Sequence, residues 1–147
     1  MIDGPTQALL RAVVRCELRS LLQYLAESFP WTTSDREAVV GSLQRMSADI
    51  RSAVGKITRF LTRNQVDLPY LGAFSMDFTT INFIGLDYAL SRLVKDERRT
   101  IADLESQLHE LGEGDAKELL RELLGVKQSH LHELESFAGQ VPATTVR

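Results

Sequence analysis

Four ionisable side chains fall at positions where a helix of a folded domain should carry apolar groups. Around the stretch LLGVKQSHLHELES, residues 123–136, the inward spacing reads Leu120, Leu123, Lys127, His130, Leu134 and Phe137. An ammonium group and an imidazole therefore share a face with leucines. The same three- and four-residue spacing near the start of the chain reads Leu10, Val13 or Val14, Glu17, Leu21 and Tyr24. A third series reads Phe83, Asp87, Leu90, Val94, Glu97, Ile101, Leu104, Leu108 and Leu111. Glu17, Glu97, Lys127 and His130 are thus expected to form one polar centre. A buried charge without a partner is expensive, so ionisable groups on three separate stripes are best accommodated by meeting one another. Two chemistries fit such a set. Carboxylates with an imidazole hold divalent metals; carboxylates with an ammonium group neutralise one another.

The elements that must position these groups are four helices. The first is expected over about 5–28, with Pro5 suited to its first turn. The second is expected over about 35–64, opened by Ser34 with Glu37 three residues on in the pattern of a capping box. Its stripe reads Val40, Leu43, Met46, Ile50, Ala53, Ile57 and Phe60, and contributes no charge. The third, over about 78–111, has Asp77 as its expected cap and Gly85 as a possible kink, and GEG at 112–114 ends it. The fourth, over about 115–138, starts at Asp115 with Glu118 behind it and stops before Gly139. FPWTT separates the first pair of helices, QVDLPYLGAFSM is too long for a tight turn, and no segment reads as a strand. These lengths and connections specify a single all-α domain, an antiparallel four-helix bundle with a long crossover between helices two and three.

Composition narrows the function classes. The 147 residues carry a net charge of -3, 44% hydrophobic and 25% charged residues, the values of an ordinary globular domain large enough for a real core. There is no basic surplus of the kind nucleic-acid binders show, so no nucleic-acid partner is expected. Apolar runs such as Ile81 to Leu86 fall far short of the ~20 residues that span a bilayer. The opening MIDGPTQALL has no secretory pattern, and the one cysteine, Cys16, suits a reducing cytoplasm as a small buried hydrophobe. His109 and His132 lie off the stripes, Asp87 should pair with an arginine, and Tyr24 should pack with its hydroxyl tied down. Trp31, Pro69 and Tyr70 suit loops that lid the bundle or meet a second copy. No phosphate loop, nucleophile elbow or Cys-x-x-Cys is present, and no catalytic residue is assigned.

Several of these segments resemble the ferritin-like superfamily, the bacterioferritins and rubrerythrins. ELRSLLQYL, with Glu17 followed by Gln23 and Tyr24, is similar to the first-helix signature of that family. KQSHLHELE at 127–135 resembles its fourth-helix Glu-x-x-His motif, DERRTIADLE at 96–105 its third-helix segment, and VDLP sits where its second helix runs into the crossover. The resemblance implies two irons, or other metals, held by a Glu from helices one and three and by Glu-x-x-His from helices two and four. Glu17, Glu97 and His130 match that pattern. Lys127 stands in place of the fourth-helix glutamate, and Ile50 and Ala53 in place of the second-helix pair. A one-residue shift would instead offer Asp49 and Ser52.

Electrostatics separate the two chemistries. At about 4 Å and an effective dielectric near 20, Lys127 would repel each unit of metal charge by roughly 4 kcal/mol. Without metal, Glu17 and Glu97 would need a counter-charge, which Lys127 supplies, with His130 expected to hydrogen-bond one of the two carboxylates. The leading expectation is therefore a ferritin-like protein with a degenerate, metal-free polar centre and a structural or interaction role rather than an enzymatic one. It should self-associate as a homodimer through Leu68, Tyr70, Leu71 and Phe74. The alternative is a redox or storage protein holding iron or another divalent metal through Glu17, Glu97 and His130, with Asp49 as a possible addition.

Overall fold

The computed structural model describes residues 2–28, 34–83 and 85–139, with the side chains of 35 and 80–83 outside the description. FPWTT with Trp31, the Phe83 side chain of the third stripe and the tail from 140 lie outside the described residues. Among the described residues the protein is all-helical and has no strand. The helices are α1 (Gly4–Leu18), α2 (Leu21–Ser28), α3 (Glu37–Arg63), α4 (Leu86–Glu110) and α5 (Asp115–Ala138). Short 3₁₀ segments cover Ser34–Arg36 and Met76–Phe83. No helix among them is long and apolar enough to cross a membrane.

The apolar stripes close on one interior. Leu10, Met46, Ile57, Leu61, Leu90, Leu93, Leu120, Leu123 and Leu134 are all fully buried, and each such side chain contributes about 1.5–3 kcal/mol by leaving water. α3 packs against α1, α2 and α5, and α4 packs against α5. Ion pairs mark how α3 meets α5: Arg45 reaches Glu133 at 2.6 Å, and Lys56 reaches Glu122. At one end Arg36 joins three elements, with Nη2 2.9 Å from Asp87 Oδ1 and donating at 3.3 Å to the carbonyl of Phe137. Asp87 thus has its arginine.

The helix boundaries depart from the sequence pattern in four places. The first helix is broken at Arg19 and Ser20, because the Arg19 guanidinium donates through Nη1 to the Leu18 carbonyl (2.9 Å) and through Nε to the Gly72 carbonyl (2.7 Å). Ser20 then restarts the chain by accepting from the Gln23 N–H at 3.3 Å, the geometry of a helix cap. The glutamate-bearing α1 and the Tyr24-bearing α2 are in this way pinned by the segment that follows α3. Second, Ser34 and Glu37 make no capping box: Ser34–Arg36 is a 3₁₀ turn and Arg36 opens α3 without a side-chain cap. Third, Asp77 lies in the second 3₁₀ segment, and α4 begins only after Gly85, which is its N-cap and not a kink. Fourth, α4 stops at Glu110 with an extended Leu111, so the glycine pair beyond it shapes the turn and not the helix end; Gly114, at φ 151°, adopts a backbone only glycine favours. The unanticipated cap is Asp3, whose Oδ1 accepts from the Thr6 N–H at 2.7 Å.

α3 ends in a motif that glycine usually occupies. Gln65 has φ 60°, its N–H donates to the Thr62 carbonyl (3.0 Å), and the Val66 N–H donates to the Leu61 carbonyl (2.9 Å). These two bonds satisfy the last carbonyls of the helix. From there residues 66–75 run to the α1–α2 break, where Tyr24 meets the rings of Phe74 and Phe78, each with centroids 5.5 Å away.

Candidate functional site: a buried ion cluster

Glu17 comes from the last turn of α1, Glu97 from the middle of α4 and Lys127 from the middle of α5. Each stands one turn from apolar neighbours that are buried, Val13 and Val14 before Glu17, Val94 and Ile101 around Glu97, and Leu123 before Lys127. Helical periodicity therefore fixes the direction of all three side chains. Lys127 is 1% exposed, the most deeply buried charge among the described residues. Its Nζ donates to Glu17 Oε1 at 2.9 Å and lies 2.8 Å from Glu97 Oε2. The two contacts differ in kind. The bond to Glu17 is a directed hydrogen bond, whereas Glu97 Oε2 makes a charge contact and has no hydrogen bond of regular angle among the described residues.

One ammonium between two carboxylates leaves one unit of negative charge uncompensated when all three are ionised. The consequences appear in the titration of the partners. Burial is the largest influence on Glu17 and pushes its carboxyl above the ordinary value in spite of Lys127, with the charge of Glu97 adding to the rise. For Lys127, burial works to lower the value, but the charges of Glu17 and Glu97 together outweigh it and hold the ammonium above its ordinary 10.5. The cluster therefore keeps its cation, and Glu17 holds a proton more readily than a free carboxyl does.

His130 is buried one turn beyond Lys127, yet it does not join the two glutamates as the stripe suggested. Its Nε2 faces Asp49 Oδ2 at 3.0 Å, on the α3 side of α5. Asp49 is half-exposed and also lies 3.7 Å from Arg45 Nη1, so His130 belongs to a chain of polar contacts that opens to solvent. The helical rotation of about 300° between residues three apart is enough to aim Lys127 and His130 at different neighbours. On α3, Ile50 is buried and Asp49 sits at its edge, while Ser52 is exposed. Among the described residues no three His, Cys, Asp or Glu side chains form a group that could hold a metal ion. His132 and His109 are exposed, as their positions off the stripes predicted. Cys16 is exposed and not buried, because it lies off the buried stripe of Leu10, Val13, Val14 and Glu17 on α1.

A second polar network was not anticipated. Gln23 and Ser47 are buried between α2 and α3, with Ser47 Oγ donating to Gln23 Oε1 (2.8 Å) and Gln23 Nε2 donating to the Ser47 carbonyl (3.1 Å). Arg51 closes it, donating to Ser47 Oγ at 3.0 Å. The signal was available: Ser47 follows Met46 on the buried face of α3, and Gln23 follows two leucines on α2. No known protein family, curated protein or solved structure matches the chain.

Proposed function

We propose that the protein is a ferritin-like antiparallel four-helix bundle with a crossover between its second and third long helices, in which Lys127 has taken the electrostatic place of a metal. Its role is structural or interactive, and it works as a homodimer inside the cytoplasm, without enzymatic activity. The observation that carries this reading is the position of Nζ, within 3 Å of carboxylates from two different helices. A cation is needed between Glu17 and Glu97, and a covalently attached one is already there. The pairing of Arg45 with Glu133 and of Lys56 with Glu122 supports opposite directions for α3 and α5. Leu68 and Tyr70, 49% and 84% exposed on the segment after α3, support self-association.

Metal analysis tests the centre. Protein purified without chelators should contain no stoichiometric iron, manganese or zinc, whereas Lys127→Glu should gain affinity for a divalent metal. Near-stoichiometric metal in the natural chain, or a Lys127→Glu variant that binds no more than the natural one, would overturn the assignment. Sedimentation equilibrium tests the dimer, which Tyr70→Glu should dissociate; a natural chain that sediments as a monomer contradicts it.

A further inference from the structure

The α1–α2 break opens a cleft of about 530 Å³ between α1, α4 and the segment 71–78. This volume is in the range of small-molecule sites. Leu71 and Phe78 give it a partly exposed apolar wall, with the buried Leu21, Leu22 and Leu93 behind them, and its charged groups are Arg15, Arg19, Arg99, Lys127, Asp96 and Glu97. With Glu17, which shares Lys127, counted beside Asp96 and Glu97, four cations against three anions still give the cleft a net charge of +1 (4 − 3), opposite in sign to the whole chain at -3.

The acids of the cleft each have a cation beside them. Asp96 lies 3.6 Å from Arg99, and Glu97 lies 2.8 Å from Lys127. Arg15 and Arg19 remain, and neither has a carboxylate at ion-pair distance among the described residues. Arg19 is half-buried; its Nε and Nη1 donate to neutral carbonyls, and its guanidinium lies 4.9 Å from the centroid of the Phe74 ring. A guanidinium held in place and partly desolvated, with no acid of its own, attracts an anion more strongly than one waving in water. The leucine and phenylalanine walls favour an apolar body next to that charge.

We propose that this cleft binds a small amphipathic anion, an aliphatic or aromatic carboxylate whose apolar body lies along Leu71 and Phe78 and whose charged end meets Arg15 and Arg19. The inference does not depend on the metal-free reading of the ion cluster. Binding uses no residue of that cluster as a direct ligand; Lys127 and Glu97 form only its inner wall.

Calorimetric titration of the full chain with octanoate, octylamine and octanol tests it. Octanoate should bind, and octylamine and octanol should bind at least about tenfold more weakly, a difference of ~1.4 kcal/mol. Arg15→Glu, an exposed change on α1, should weaken octanoate by about fivefold, the scale of one partly exposed charge contact. Ala73→Trp, an exposed position in the cleft wall, should abolish binding by filling the space, with circular dichroism confirming that both variants stay helical. Absence of octanoate binding, equal binding of octylamine, or octanoate binding unchanged in either variant would overturn the proposal. Stoichiometric metal in the natural chain would overturn the metal-free reading and leave these titrations unaffected, so the two readings fail separately.

Discussion

Lys127 and His130 are one helical turn apart on α5, and their surroundings could hardly differ more. Lys127 is sealed between two glutamates that are themselves buried, whereas His130 leans on Asp49, whose side chain is 43% exposed and shared with Arg45. In the first region water cannot screen the charges, so each partner is indispensable to the others. In the second, water can replace a lost partner. Two polar contacts of nearly equal length, 2.9 Å and 3.0 Å, should therefore differ several-fold in what their removal does.

Lys127→Met breaks the sealed region and should have the largest effect, a loss of about 3–5 kcal/mol in urea unfolding, because two buried carboxylates are left facing each other. Adding Glu17→Gln and Glu97→Gln to that variant should recover more than half of the loss, since uncharged groups tolerate burial far better. A triple variant no more stable than Lys127→Met would show that packing, and not charge, dominates the site.

Alkaline titration comes next. The Lys127 ammonium is held above its ordinary 10.5 in the folded chain, so its contribution is complete below that value and disappears as pH rises through the folded value. The urea midpoint of the natural chain should fall above pH 10.5, and the fall attributable to this group should be missing in Lys127→Met. Glu17 acts with the opposite sense for an acid. Its carboxyl is raised above 4.5, so the folded chain binds the extra proton, and stability should decline as pH rises from 4.5 through the raised value before levelling. Glu17→Gln should flatten that decline.

The open region sets the lower end of the scale. His130→Leu should cost about 1 kcal/mol, the net worth of an ordinary hydrogen bond in a partly solvated place. Asp49→Asn should cost at most ~0.5 kcal/mol, and 0.5 M salt should shrink even that, because an exposed pair is screened. An effect of Asp49→Asn as large as that of Lys127→Met would erase the distinction between the regions.

The burial of these groups was legible in the residues, but the contrast between them was not. The stripes through Glu17, Glu97, Lys127 and His130 predicted burial for all four, and each is buried, since helical periodicity converts spacing into direction. What periodicity does not contain is azimuth at the resolution of a single neighbour. His130 was expected beside the glutamates and instead meets Asp49, because the choice between two partners depends on how α3, α4 and α5 are rotated against each other. The break at Arg19 was also hidden. A helix-favouring Leu-Arg-Ser-Leu run gives no local sign of interruption, and the cause is a carbonyl more than fifty residues away at Gly72. The helix starts moved for a related reason: Ser34 and Asp77 have suitable side chains, but the chain passes through 3₁₀ turns there and the long helices begin only at Glu37 and Leu86.

The charge on Lys127 is the quantity to observe directly. Nitrogen NMR of the lysine side chains, followed through an alkaline titration with Lys127→Met to assign the resonance, reports whether Nζ is an ammonium group and where it loses its proton. An ammonium signal that persists above pH 10.5 and shifts when Glu17 or Glu97 is changed to glutamine is the predicted result. A Lys127 nitrogen that is neutral at pH 7, or that titrates at or below the ordinary lysine value whatever residues 17 and 97 are, would contradict it.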